Sequence, residues 1–136
     1  MVDDVALNKA ATIERCVARV REVYANEEKN LLDFTKQDSI ILNLQRACEA
    51  AIDLAMHIIR KRSLGVPQES RDAFALLEAG GLLDAEMSDR MKRMVGFRNV
   101  AVHDYTKLNL EVLRGIVNYH LDEFLKFSQA MINTLR

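Results

Sequence analysis

An all-α chain, folded as an antiparallel four-helix bundle with one extra short helix, is what this sequence predicts, on three observations. Glycine and proline are scarce, with 5 Gly and 1 Pro in 136 residues, too few for the turns of a β-rich protein. Apolar residues recur three and four apart over long stretches, the period of a helix with one buried face. The joints between those stretches are short, which favours antiparallel neighbours. The length suits a single domain over residues 1–136 with a core of its own.

The first helix carries Val2, Val5, Ile13, Cys16, Val17, Val20 and Tyr24 on one stripe, with Asp3 or Asp4 as its cap. Asn26-Glu27-Glu28-Lys29-Asn30 breaks the pattern, and Leu31, Leu32 and Phe34 add a short turn. Asp38 or Ser39 opens a long second helix through Ile40, Ile41, Leu44, Ala47, Cys48, Ala51, Ile52, Ala55, Ile58 and Ile59. It finishes on Arg60, Lys61 and Arg62, cations that suit the helix dipole, with Gly65 as a left-handed cap and Pro67 as a stop. Ser70 caps the short helix of Ala73, Phe74, Leu76 and Leu77, which Gly80-Gly81 ends. Asp84 starts a fourth helix with Met87, Met91, Met94, Val95 and Phe97. Asn109 caps a fifth, running through Leu110, Leu113, Ile116, Val117, Leu121, Phe124, Leu125, Met131, Ile132 and Leu135.

Composition narrows the function. The formal net charge is −1, which disfavours a general nucleic-acid coat and requires any RNA contact to come from a local cluster of cations. Arg90, Lys92 and Arg93 are the first choice for such contact, ahead of Lys61 and Arg62. Cys16 and Cys48 each sit among apolar helical neighbours and read as reduced core thiols. Asp3 and Asp4 follow Met1 where a signal peptide needs cations and an apolar run. No apolar stretch approaches the ~20 residues of a membrane span, so a cytoplasmic protein without a membrane partner is expected. Gly80-Gly81 lacks the following Lys-Ser/Thr of a phosphate loop, and no Ser or Cys carries a nucleophile signature.

Chemistry concentrates in Arg98-Asn99-Val100-Ala101-Val102-His103-Asp104-Tyr105. An arginine offers a permanent forked cation that matches phosphate geometry. A histidine passes protons near neutral pH. Together they are a minimal set for cleaving a phosphodiester without a metal. On an ideal helix Arg98 and His103 lie about 140° apart and do not converge. Either the helix ends or distorts before His103, or a second subunit completes the site. Asp104, Thr106 and Asn109 are poor helix formers, which favours a fray or turn after His103. A two-fold axis alongside would gather two Arg98 and two His103 in one cleft.

This octapeptide resembles the R-x-x-x-x-H-x-Y signature of HEPN-domain ribonucleases, and its late place in an all-helical chain resembles the HepT-like toxins. The resemblance implies a HEPN-like bundle acting as a homodimer and a metal-independent endoribonuclease, with its site between the two motif copies. It needs no cofactor. His103 is then the general acid or base and Arg98 holds the scissile phosphate. The products are a 2′,3′-cyclic phosphate and a 5′-hydroxyl. Asn99 orients the phosphate or Arg98. Tyr105 bonds the substrate or His103, or it accepts AMP from a minimal nucleotidyltransferase (MNT) antitoxin, the partner such toxins are encoded beside. A competing class is a non-catalytic HEPN bundle that binds a nucleotidyltransferase or nucleotides.

Gln45, Glu49, Asp53 and His57 recur every four residues on the second helix. As a wall of the cleft, Glu49 or Asp53 would orient Arg98 or tune His103; as a plain polar stripe they pair with neighbours. One His among carboxylates at this spacing lacks converging ligands, and no metal is assigned. His120 interrupts the last apolar stripe as a satisfied core or boundary histidine, and the six Met are packing filler.

Overall fold

Side chains that accept from backbone N–H groups set where the helices begin. The computed structural model describes residues 3–136. Helix α1 (Asp4–Tyr24) starts on Asp3, which accepts from the Ala6 N–H at 3.0 Å. Helix α2 (Phe34–Arg62) starts on Asp33, which accepts from Lys36 N–H at 3.1 Å. Helix α3 (Ser70–Ala79) opens with a capping box between Glu69 and Asp72. Helix α4 (Ala85–His103) starts on Asp84, and α5 (Leu110–Gly115) on Asn109. A π turn, Ile116–His120, carries α5 into α6 (Leu121–Asn133). Each cap is worth about 1 kcal/mol.

Several boundaries differ from the sequence expectation. Helix α2 begins on Asp33, not Asp38 or Ser39, because Asp33 satisfies the first free N–H and brings Phe34 into the helix. The left-handed residue after α2 is Ser63 at φ 53°, not Gly65. Glu69, not Ser70, caps α3, because Asp72 returns a bond to the Glu69 backbone. The fifth helix is split into α5 and α6, since backbone bonding widens to a π turn and His120 leaves helical angles at φ −124°, ψ 3°. The Asn26–Asn30 break holds, with Ala25 and Asn26 at positive φ and a 3₁₀ turn over Glu28–Leu31. Val5 is exposed, and the stripe of α1 runs instead through Ala6 and Ala10 to Ile13; Val2 lies outside the described residues.

Ion pairs and hydrogen bonds read out the topology. Lys9 meets Asp53 and Asp3 meets His57, so α1 and α2 run antiparallel. Arg98 meets Glu49, and Tyr105 just past the end of α4 meets Asp38, so α4 runs antiparallel to α2. Arg21 meets Asp122 and Tyr24 meets Asn118, which sets α6 antiparallel to α1. Helix α2 is the central rod, touching α1, α3, α4 and α6. The apolar residues expected on α2 are all buried. Cys16 and Cys48 are buried free thiols, and burial pushes both up in pKa. Short α3 is held through Phe74, whose ring meets Phe127 of α6 edge-on at 5.5 Å. Both rings are fully buried, and Phe127→Ala is expected to cost about 3–5 kcal/mol, read from the denaturant midpoint. Among the described residues no helix is long and apolar enough to cross a membrane.

Candidate active site

The second half of α4 lies along the first half of α2, and this contact builds the site. Arg98 points inward at α2. Its Nη2 donates to Glu49 Oε2 at 3.1 Å, and its Nη1 donates to Asn99 Oδ1 at 3.1 Å. The Arg98 side chain is 26% exposed and Glu49 is 38% exposed; at that exposure the pair contributes about 1 kcal/mol or less. Arg98 Nε is buried with no hydrogen-bond partner among the described residues. Leaving a buried donor unmade costs about 1–3 kcal/mol.

His103 behaves differently. It is exposed, and no side chain among the described residues hydrogen-bonds its ring. Helix α4 is unbroken to His103, so the option of a helix ending or distorting before it is overturned: the Asp104 N–H still bonds to Val100 O at 2.9 Å. The chain leaves the helix only at Asp104 (φ −154°, ψ 55°), where the poor helix formers begin. Arg98 and His103 thus diverge within one chain. Around them Leu42, Val100, Val102 and Tyr105 expose apolar surface, between 36% and 43% of each residue.

Tyr105 sits in the 3₁₀ turn after α4 (Tyr105–Lys107), and its hydroxyl donates to the Asp38 carboxylate of α2. The phenol bonds Asp38 and not His103. Desolvation first, and then the Asp38 hydrogen bond and charge, push its pKa up to about 12. At neutral pH it is a protonated phenol. Asn99, expected to orient the phosphate or Arg98, accepts from Arg98 Nη1 through its Oδ1.

The polar row of α2 divides its labour. Glu49 holds Arg98, Asp53 pairs with Lys9 at 3.1 Å, and His57 bonds Asp3 at 2.8 Å. Asp3 also takes Lys61 at 2.9 Å; the Ala6 N–H first, then His57 and Lys61, hold its carboxyl well below the usual range. Gln45 shares a hollow of about 330 Å³ with Asp38 and Tyr105. Sequence reading weighed Asp38 only as a cap and missed its bond to the Tyr105 hydroxyl. Eleven residues before Glu49, it lies within about 20° of the same helix face. That periodicity was the available signal.

Of the expected RNA cations Arg90, Lys92 and Arg93, the first and last rim a groove of about 520 Å³ between α4 and the α5–α6 rod and Lys92 does not line it; with Lys107, which the sequence reading did not single out, they flank an apolar floor of Phe97 and Ile116. Arg93 pairs with Asp89, and Arg90 with Glu86 and Glu123. His120 is a satisfied boundary residue, bonded through Nδ1 to buried Glu123 at 2.7 Å. Of Lys61 and Arg62, the first binds Asp3 and the second the Thr134 carbonyl.

Known proteins share this fold and much of this sequence. The Ribonuclease HepT-like family is matched over residues 13–131, which include Arg98, Asn99, His103 and Tyr105. The chain is similar to the mRNA nuclease HepT of Shewanella oneidensis, 51% identical over 126 residues that cover 93% of this chain and 95% of that protein. It is similar in structure to a tri-AMPylated Shewanella oneidensis HEPN toxin in complex with MNT antitoxin, with a TM-score of 0.92 at 48% identity, covering 97% of this chain and 99% of that one. A crystal structure of a toxin–antitoxin with AMP-PNP gives a TM-score of 0.90 at 48% identity, covering 96% and 99%. Likeness at this identity and coverage fixes the assignment: the chain belongs to the ribonuclease HepT-like family.

Proposed function

We propose that this chain is a metal-independent endoribonuclease, the toxin of a toxin–antitoxin pair, whose site forms between two copies of itself. The observation that carries the dimeric site is the divergence of Arg98 and His103 on an unbroken helix. One copy cannot bring both side chains to one phosphate. A second copy seated on the apolar collar of Leu42, Val100 and Val102 supplies what the first lacks. The same collar explains why these residues are left uncovered in a single chain.

In the cleft, Arg98 grips the scissile phosphate and neutralises charge gathering on its oxygens. Glu49 and Asn99 set the angle of its fork. The RNA 2′-hydroxyl attacks the adjacent phosphorus and the 5′-oxygen leaves. His103 moves the proton, an exchange suited to an imidazole in contact with solvent. The products are a 2′,3′-cyclic phosphate and a 5′-hydroxyl. Messenger RNA, the substrate in the name of the Shewanella relative, is the first class to test. The work is done in the cytoplasm.

Silencing runs through Tyr105. A nucleotidyltransferase antitoxin of the MNT type transfers AMP to its hydroxyl; the similar Shewanella oneidensis HEPN toxin is tri-AMPylated and in complex with an MNT antitoxin. The adduct places a bulky anion two residues from His103 and competes for Arg98.

Induced expression with RNA end-mapping tests the reading. Wild type is expected to arrest growth and leave cyclic-phosphate ends. Co-expression of the nucleotidyltransferase is expected to lift the arrest and add AMP to Tyr105. Growth arrest without new RNA ends would overturn the ribonuclease assignment.

A further inference from the structure

We propose that Asp38 is the residue that selects and activates Tyr105 for AMP transfer, its carboxylate taking the phenol proton as the new bond forms. The inference rests on the reading of Tyr105 as the AMP acceptor and adds the group that makes it one.

The chain has three tyrosines. Exposure alone would choose Tyr119, which is 79% exposed against 43% for Tyr105. Tyr119, however, has no carboxylate bonded to its hydroxyl among the described residues. Tyr24 is buried and donates to the Asn118 amide oxygen at 2.8 Å. Tyr105 alone combines an open ring with a carboxylate on its hydroxyl. The distinction is chemical, not one of access.

Asp38 has no competing structural duty. Capping of α2 falls to Asp33, five residues earlier. Among the described residues no Lys, Arg or His pairs with Asp38, and the Tyr105 hydroxyl is its side-chain partner. The pair forms a ridge between two open hollows. One, of about 330 Å³, is bounded by Leu42 and Gln45; the other, of about 400 Å³, by Phe34 and Leu110. Both hollows are lined by Asp38 and Tyr105; the one bounded by Phe34 and Leu110 does not include the collar residue Leu42, so a nucleotide phosphate can reach the hydroxyl from that side with a second copy in place.

The chemistry needs such a group. A phenol that stays protonated at neutral pH attacks phosphorus poorly, and a base at hydrogen-bond distance removes the proton as the bond forms. The Tyr105 oxygen bonds to the α-phosphorus of ATP, and the bond from that phosphorus to the bridging oxygen breaks. The electron pair leaves with pyrophosphate. The proton passes to Asp38 and then to solvent. ATP and the transferase centre come from the nucleotidyltransferase; the acceptor and its base come from this chain.

Initial rates of AMP transfer from ATP by the cognate nucleotidyltransferase, with the modified residue mapped by mass, test this on full-length chains. Asp38→Asn is expected to slow transfer roughly 10²-fold, with KM for ATP unchanged and with RNA cleavage at the wild-type rate. Its rate is expected to climb with pH, as free phenolate replaces the missing base, while wild type stays flat from pH 7 to 9. Asp38→Glu is expected to restore most of the rate. An Asp38→Asn chain modified at the wild-type rate overturns the inference. So does one that loses RNA cleavage along with transfer, which would make Asp38 structural. A wild-type chain that takes AMP elsewhere than Tyr105 removes the underlying reading instead, a separate and recognisable failure.

Discussion

His103→Ala is expected to lower RNA cleavage by about 10²–10⁴-fold while changing stability by no more than about 1 kcal/mol. The two halves of that expectation come from one observation. His103 ends α4 as an exposed side chain, with no hydrogen bond to its ring among the described residues, so truncation removes no packing and breaks no bond. Whatever it contributes must appear when a substrate is present. Cleavage rates on a defined RNA, set beside denaturant unfolding, separate the two. A variant that unfolds more readily yet still cuts at the wild-type rate would assign His103 to the scaffold.

Arg98→Ala is expected to cost about 10²–10³-fold in cleavage rate, the scale for removing a preorganised donor to developing charge. Here the structure sharpens the expectation with a conservative exchange. Arg98 spans Glu49 and Asn99 with separate nitrogens and keeps a third, Nε, buried without a partner among the described residues. A lysine keeps the charge but has no fork. Arg98→Lys is therefore expected to lose nearly as much activity as Arg98→Ala. Stability is expected to change little in either, because losing a half-exposed ion pair is offset by removing an orphaned donor. A lysine variant with full activity would show that charge alone suffices and that the Glu49 contact is idle.

Much of this is readable in the amino-acid sequence alone. The helix order and the buried faces followed from spacing, because a 3.6-residue period leaves Ile40, Leu44, Ala51, Ala55 and Ile58 no partner but a core. The motif residues were legible because Arg98 and His103 exceed what packing asks of that helix. What the spacing left open was the detail set by competing polar partners. Asp38 or Ser39 looked able to open α2 and Asp33 was passed over; the positions of Lys36 N–H and Tyr105 decide that Asp33 caps while Asp38 holds a phenol. Likewise Glu49 and Asp53 were equivalent on paper. The packing of α4 gives Arg98 to the first, and that of α1 gives Lys9 to the second. The π turn at Ile116–His120 has no signature in hydrophobic spacing, since the buried side chains on either side keep helical intervals.

The divergence of Arg98 and His103 leads to the most direct test, which uses the two inactive variants together. Co-refolding or co-expressing Arg98→Ala with His103→Ala is predicted to restore roughly a quarter of wild-type cleavage, because random pairing makes half the dimers mixed and each mixed dimer keeps one complete site of two. Mixed dimers that form, as native mass spectrometry would show, yet stay as inactive as either parent would contradict a site shared between two copies.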